Sequence, residues 1–266
     1  MFHILPIWFL MLPYGIAMAQ VATLFTKQGS TMDRKIGPNF EIPAASLQAM
    51  GSISIIIILP LYDLVLVPLV RQFTGHQRGI TMLQRIGVGL FLSILCMGVA
   101  ALTEMHRLNM AKKYDNKNNA DILNQTIPMS IFWLLPQYIL VGVCDVFGIV
   151  GQQEFFYDQV PDTSRSFGMA MYLSSVGVGN FLSSLLITII ETITNKGTHS
   201  WFANNINKGH LDYFYWLLCG MSFINFVVYI IVTNNYKYKE VQCVMKASSG
   251  NSFLEENAPK MAVQNG

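Results

Sequence analysis

Charge is scarce in this chain. Only 12% of its 266 residues are Asp, Glu, Lys or Arg, about half the roughly 25% of an ordinary soluble domain. Hydrophobic residues make up 52%, and the mean hydropathy is +0.41. A soluble core that hid this much apolar side chain would need a much larger protein, so a membrane class is expected. The formal net charge of +2 is too small to argue for nucleic acid. The basic residues are scattered, with no basic stripe interleaved with aromatics.

Cysteine is also sparse. Cys96, Cys144 and Cys219 lie in apolar segments, Cys243 lies in the tail, and no pair has metal-ligand spacing. They are expected to act as small buried hydrophobes. His3, His76, His106, His199 and His210 are isolated or in loops, so no metal site is expected. No Ser/His/Asp or Cys/His constellation points to hydrolysis, and the chain is not expected to be an enzyme. Asp63 and Asp145 differ in apparent depth, which argues against an intramembrane protease. The N-terminal run has no Lys or Arg before Lys27. It lacks the basic n-region of a signal peptide and is expected to stay as a spanning helix.

Long apolar runs are abundant. About 20 mostly apolar residues cross a bilayer as a helix. Six segments qualify: 2–26, 43–70, 84–104, 128–153, 166–192 and 212–236. Pro6, Pro13, Pro43, Pro60, Pro68, Pro128 and Pro136 lie within or beside them. Such prolines either kink structural helices or supply hinges. The connections 27–41 and 105–127 are polar, and 71–81 and 157–165 are short and turn-like. The polar segment 239–266 is expected to be a disordered cytosolic tail after a helical region, 1–238. Arg and Lys divide evenly between the two sides, so the positive-inside rule gives no orientation. The triplet Asn124-Gln125-Thr126 is a glycosylation sequon. Used as a tiebreaker, it puts the third connection outside and both termini in the cytosol.

Asp145 is the sharpest candidate site, midway along the fourth apolar segment. A carboxylate at bilayer depth must face a cavity, find a cation or bind a proton. It is therefore read as a substrate or proton-coupling site, with a structural acid between helices as the alternative. Asp63, in the second segment, has Arg71 one or two helical turns away. The two are read either as a gate latch or as a satisfied interfacial pair. Gln20 and Thr23, three apart, share a helix face, and could line a pore or glue helices. Ser175, Gly179 and Ser183 form a small-residue stripe that favours close packing. Asn180, beside it, could face a partner helix or a solute.

Several motifs stand in a fixed order: Leu5-Pro6-Ile7-Trp8; Gly37-Pro38-Asn39-Phe40-Glu41-Ile42-Pro43; Leu61-Tyr62-Asp63; Phe73-Thr74-Gly75-His76-Gln77-Arg78-Gly79; Leu83-Gln84-Arg85-Ile86-Gly87; Phe132-Trp133-Leu134-Leu135-Pro136-Gln137; and Glu154-Phe155-Phe156-Tyr157-Asp158-Gln159. In order and spacing they resemble helices seven to twelve of the plant nitrate/peptide transporter family. That family is a branch of the proton-coupled oligopeptide transporters in the major facilitator superfamily.

The resemblance implies an all-α membrane protein of six transmembrane helices, the C-terminal six-helix bundle of a major facilitator fold. It implies proton-driven transport of nitrate, di- or tripeptides or related small solutes, with no cofactor besides protons. Asp145 falls where family members usually carry Glu, an acid that peptide-carrying relatives pair with a Lys of the N-terminal half. Gln20 and Asn180 fall on cavity-facing positions of the seventh and eleventh helices. The residue after Tyr62-Asp63 is commonly basic in the family and is Leu64 here. The family's Glu-rich proton-coupling motif belongs to its first helix, outside this chain. Three explanations stay open: a fragment, a short isoform that is inactive or regulatory, or a half that pairs with another chain. The expected partners are a small-molecule or anion substrate, the lipid bilayer and an N-terminal half or another transporter chain. No nucleic acid is expected. The expected location is the plasma or vacuolar membrane. The alternative function is a non-transporting membrane protein that associates with a full-length relative.

Overall fold

The computed structural model describes residues 4–37, 39–74, 80–118, 126–161, 164–194, 201–202, 207 and 209–236. The turn 75–79, His3, His199, Asn124 and Gln125 of the sequon, Cys243 and the expected tail boundary lie outside the described residues.

Six helical stretches among the described residues are long and apolar enough to cross a membrane. With no water in hydrocarbon, a spanning segment must satisfy its own backbone, and the helix does this locally. The first stretch, Leu5–Ser30, comprises α1 (Leu5–Met18), a π-helical turn (Val21–Phe25) and α2 (Thr26–Ser30). The second, Ala44–Gln72, comprises a 3-10 turn (Ala44–Leu47), α3 (Gln48–Leu61), a π-helical turn (Tyr62–Leu66) and α4 (Val67–Thr74). Pro60 and Pro68 flank that second wide turn, where the missing N–H groups disturb the regular ladder.

The third stretch is one helix, α5 (Met82–Asn118). It opens with a reciprocal capping box. The Thr81 N–H donates to Gln84 Oε1 at 3.1 Å, and the Gln84 N–H donates to Thr81 Oγ1 at 3.3 Å. The fourth stretch joins a 3-10 turn (Ile131–Leu134), α6 (Leu135–Phe147) and α7 (Ile149–Asp158), with a joint at Gly148. The fifth and sixth are α8 (Arg165–Thr194) and α9 (Leu211–Asn234).

Burial is unequal among these stretches. Of the most apolar window, 56% is buried in the fourth, but only 11% in the second. The fourth is thus the central helix, with α3 and α5 on it. α1 crosses α8, and α8 also touches α7. Phe9, Ile56, Leu64, Phe181 and Ile224 point outward and are more than half exposed. Side chains of that kind facing outward need lipid rather than water around them.

Two sequence expectations about connections are corrected. The segment 105–118 is not loop but the continuation of α5. It contains no Gly or Pro, and Leu108 and Ala111 bury an apolar stripe. Residues 128–130 do not begin the fourth span. They belong to a strand, Ile127–Ser130, that pairs in parallel with Met32–Asp33 and so ties the first and third connections together. A second small ladder pairs Lys35 with Glu41 and Ile36 with Phe40 around Gly37, whose φ of 71° suits glycine.

The same end of α5 carries a fully buried ion pair absent from the sequence reading. Arg107 donates to both oxygens of Glu104, at 2.6 and 2.8 Å, to Thr31 Oγ1 at 2.9 Å and to Asn207 Oδ1 at 2.7 Å. Neither charged side chain is exposed. One guanidinium thus holds the end of the first span and the fifth connection on α5. Removing it leaves Glu104 as an uncompensated buried charge. Arg107→Leu is expected to cost about 3 kcal/mol or more, read as a lower thermal midpoint in lipid or detergent. Thr31→Ala is expected to cost about 1 kcal/mol.

Candidate functional site

A cleft of about 270 Å³ opens between the first, second, fourth and fifth spans. Its polar lining is Tyr14, Gln48, Asp145, Gln152, Ser175 and Asn180, and Met11, Met18, Val141, Ile149 and Val176 supply apolar wall. Asp145 stands one turn before the joint at Gly148, where α6 gives way to α7. Among the described residues, no Lys, Arg or His lies within ion-pair distance of it. Its carboxylate Oδ1 accepts from Tyr14 Oη at 3.4 Å. The same hydroxyl lies 3.0 Å from the Cys144 carbonyl.

The cleft has this shape because its helices meet at glycines. A Cβ on Gly179 would lie 2.9 Å from the Cα of Gly15, so α1 and α8 touch backbone to backbone. This is the packing expected of the small-residue stripe, with Ser175 and Ser183 buried on the same face. Ser175 accepts from Gln152 at 3.1 Å. Trp8 Nε1 adds hydrogen bonds to the Met171 carbonyl and to Ser174 Oγ, at 3.1 and 3.0 Å.

The structure separates some of the sequence-derived candidates. Asp145 and Asn180 share the cleft, and the exposed Asn180 donates to the Val176 carbonyl at 3.1 Å. Gln20 is fully buried beside it, donating to Ser183 Oγ at 2.7 Å and to the Ile16 carbonyl at 3.0 Å. It therefore glues α8 to the first span. Thr23 is exposed and donates to the Ala19 carbonyl at 3.2 Å. The two do not share a face, because the π-helical turn starts immediately after Gln20. The Phe25 N–H reaches back five residues to the Gln20 carbonyl, at 3.1 Å, and the wider turn breaks the three-residue spacing.

Asp63 and Arg71 are both exposed, and no ion pair joins them. The wide turn Tyr62–Leu66 again lies between the candidates. Arg85 is a further cation at this end of the bundle. It is buried, stands 4.3 Å over the Tyr62 ring, and donates to Glu154 Oε2 and the Val146 carbonyl, each at 3.1 Å. This contact joins the second, third and fourth spans. Both Arg85 and Glu154 stand inside quoted motifs, and a charge near each end of an apolar run was the available signal for pairing them. Tyr14 carried no signal, since an aromatic in an apolar run reads as core.

Paired substitutions at two glycines test the crossing. Gly179→Ala is expected to destabilise by about 1–3 kcal/mol, the range for overpacking. Gly177→Ala, with open space around its Cβ position, is expected to be neutral or slightly stabilising. Thermal unfolding of the two variants reads the difference.

Residues 1–205 match the POT family (PTR2). Over 237 residues the chain is 54% identical to Protein NRT1/ PTR FAMILY 5.10 of Arabidopsis thaliana, covering 89% of this chain and 42% of that protein. Over 239 residues it is 46% identical to Protein NRT1/ PTR FAMILY 8.2 of the same plant, covering 90% and 41%. Its fold is similar to the crystal structure of an auto-inhibited POT family peptide transporter, with a TM-score of 0.66 at 20% identity over 88% of this chain and 41% of that one. It is also similar to the POT family transporter PepTSo, with a TM-score of 0.62 at 21% identity and the same coverage. The chain thus spans about four tenths of the length of the relatives it matches. With six helices able to cross a membrane, it is an integral multi-pass membrane protein, and it belongs to the POT family of transporters.

Proposed function

We propose that this chain forms the C-terminal six-helix half, helices seven to twelve, of a proton-coupled carrier for nitrate, small peptides or related solutes. The observation that carries this reading is Asp145, a carboxylate without an ion-pair partner among the described residues, lining a cleft between four spans. An acid at that depth is tolerable if it faces water, binds a proton or meets a cation. In this reading the cleft is one wall of a central cavity, and an opposing six-helix half closes it around the solute.

Asp145 then has two states. It holds a proton while it faces an otherwise neutral wall, and it loses that proton when a cation of the opposing half or a donor on the solute engages it. Asn180 offers an amide on the same wall. Asp63 and Arg71, exposed at the end of the second span, are left for gating contacts beyond this bundle. Protons are the only coupled species this mechanism needs. The plasma or vacuolar membrane is the proposed location, with both termini cytosolic.

Uptake of labelled nitrate and of a labelled dipeptide by the complete carrier, under an inward proton gradient, tests this reading. Asp145→Asn is expected to abolish uptake or its response to external pH. Unchanged pH-dependent uptake would contradict the role of Asp145. Co-purification with a full-length relative, without uptake by any assembly containing this chain, would favour a non-transporting interaction protein.

A further inference from the structure

The Tyr14 hydroxyl has one proton and two acceptors in reach, the Cys144 carbonyl at 3.0 Å and Asp145 Oδ1 at 3.4 Å. The carbonyl already accepts the Gly148 N–H at 2.6 Å, across the joint between α6 and α7. Tyr14 reaches this place only because residue 148 has no side chain, since a Cβ there would lie 2.5 Å from Tyr14 Oη. The next residue along α1 is Gly15, which forms the backbone crossing with Gly179. One phenol therefore touches the acid and the bend in the fourth span, and stands next to the contact between α1 and α8.

We propose that Tyr14 is a positioning residue that couples the charge on Asp145 to the joint at Gly148. This rests on the reading of Asp145 as an acid that gains and loses a proton. With Asp145 ionised, the hydroxyl donates to the carboxylate, because hydrogen bonds to a charged acceptor are roughly twice as strong as neutral ones. With Asp145 protonated, or engaged by a donor on the solute, the hydroxyl donates to the Cys144 carbonyl. No proton leaves Tyr14 in either state. Only the direction of its O–H changes, and with it the load on the carbonyl that spans the joint.

Among the described residues, the other titratable groups around Asp145 and Tyr14 are Tyr172 from the fifth span and Cys144, which interact with Asp145, and Cys96 from the third span, which acts on Tyr14. Tyr172 is only partly buried, whereas Tyr14 is almost wholly so and is the one hydrogen-bonded to Asp145. No charged partner competes with Tyr14 among the described residues.

Infrared difference spectra of the 266-residue chain in lipid bilayers, acidic minus alkaline buffer, test the coupling. The Asp145 band is the carboxylic C=O band that Asp145→Asn removes. A tyrosine ring mode is expected to accompany it and to be lost in both Asp145→Asn and Tyr14→Phe. In Tyr14→Phe the Asp145 band is expected to persist at a shifted frequency. Circular dichroism checks that each variant is folded. Gly148→Ala, which crowds the hydroxyl without removing it, is a second variant expected to lose the tyrosine mode. An Asp145 band without a tyrosine mode that depends on Tyr14 would overturn the proposal and leave the reading of Asp145 intact. Absence of any Asp145 band would overturn both.

Discussion

Inside a bilayer no water is available to satisfy a polar group, and each unsatisfied one costs several kcal/mol. That constraint makes every span of this chain a helix. It also favours contacts in which a polar side chain caught within the bundle finds a partner on another helix. Gln20 on Ser183, Gln152 on Ser175, Asn225 on the Leu10 carbonyl and Tyr229 on the Leu83 carbonyl are all contacts of this kind. Arg85 applies the same logic to a full charge by reaching Glu154 on another helix, and Arg107 pairs with Glu104 on its own helix while reaching Thr31 at the end of the first span. Against this background Asp145 stands apart, since its carboxylate has only a long hydrogen bond from Tyr14 and an open cleft in front of it.

The spans and their order could be read from the sequence, because a run of twenty apolar residues has few other solutions. Asp145 could be found for the same reason, as a carboxylate in such a run needs a cause. The small-residue stripe through Gly179 also read correctly as a packing face. The rest depended on information a single sequence does not carry. Arg107 lies in a polar stretch that reads as solvated loop, and its partners Thr31 and Asn207 are 76 and 100 residues away. The wide turns after Gln20 and Leu61 break helical spacing, so Thr23 left the face of Gln20 and Asp63 did not meet Arg71. Both turns arise in prolonged helices containing prolines, and their exact place follows from tertiary packing rather than local propensity.

The bundle is therefore tightly tied within itself and open along one wall. Glycine contacts bring α1 onto α8 and α3 onto α6, with Gly142 set against Gly51 and Ser54. Close backbone packing of this kind holds α1 on α8 and α3 on α6. The likeness to solved POT family structures concerns this fold. The solute and the coupling are proposals that rest on the chemistry of the cleft.

The central claim is that the wall carrying Asp145 and Asn180 faces water and solute rather than lipid. Single cysteines at Ala22, Val176 and Asn180, all on the cleft lining, test it through labelling by a charged, membrane-impermeant thiol reagent. Cysteines at Phe181 and Ile224, on the outward surface, serve as the comparison. The account expects the cleft positions of the assembled protein to react and the outward positions to remain unlabelled. Labelling of the cleft positions only by a lipid-soluble reagent, at the same rate as Phe181 and Ile224, would contradict it.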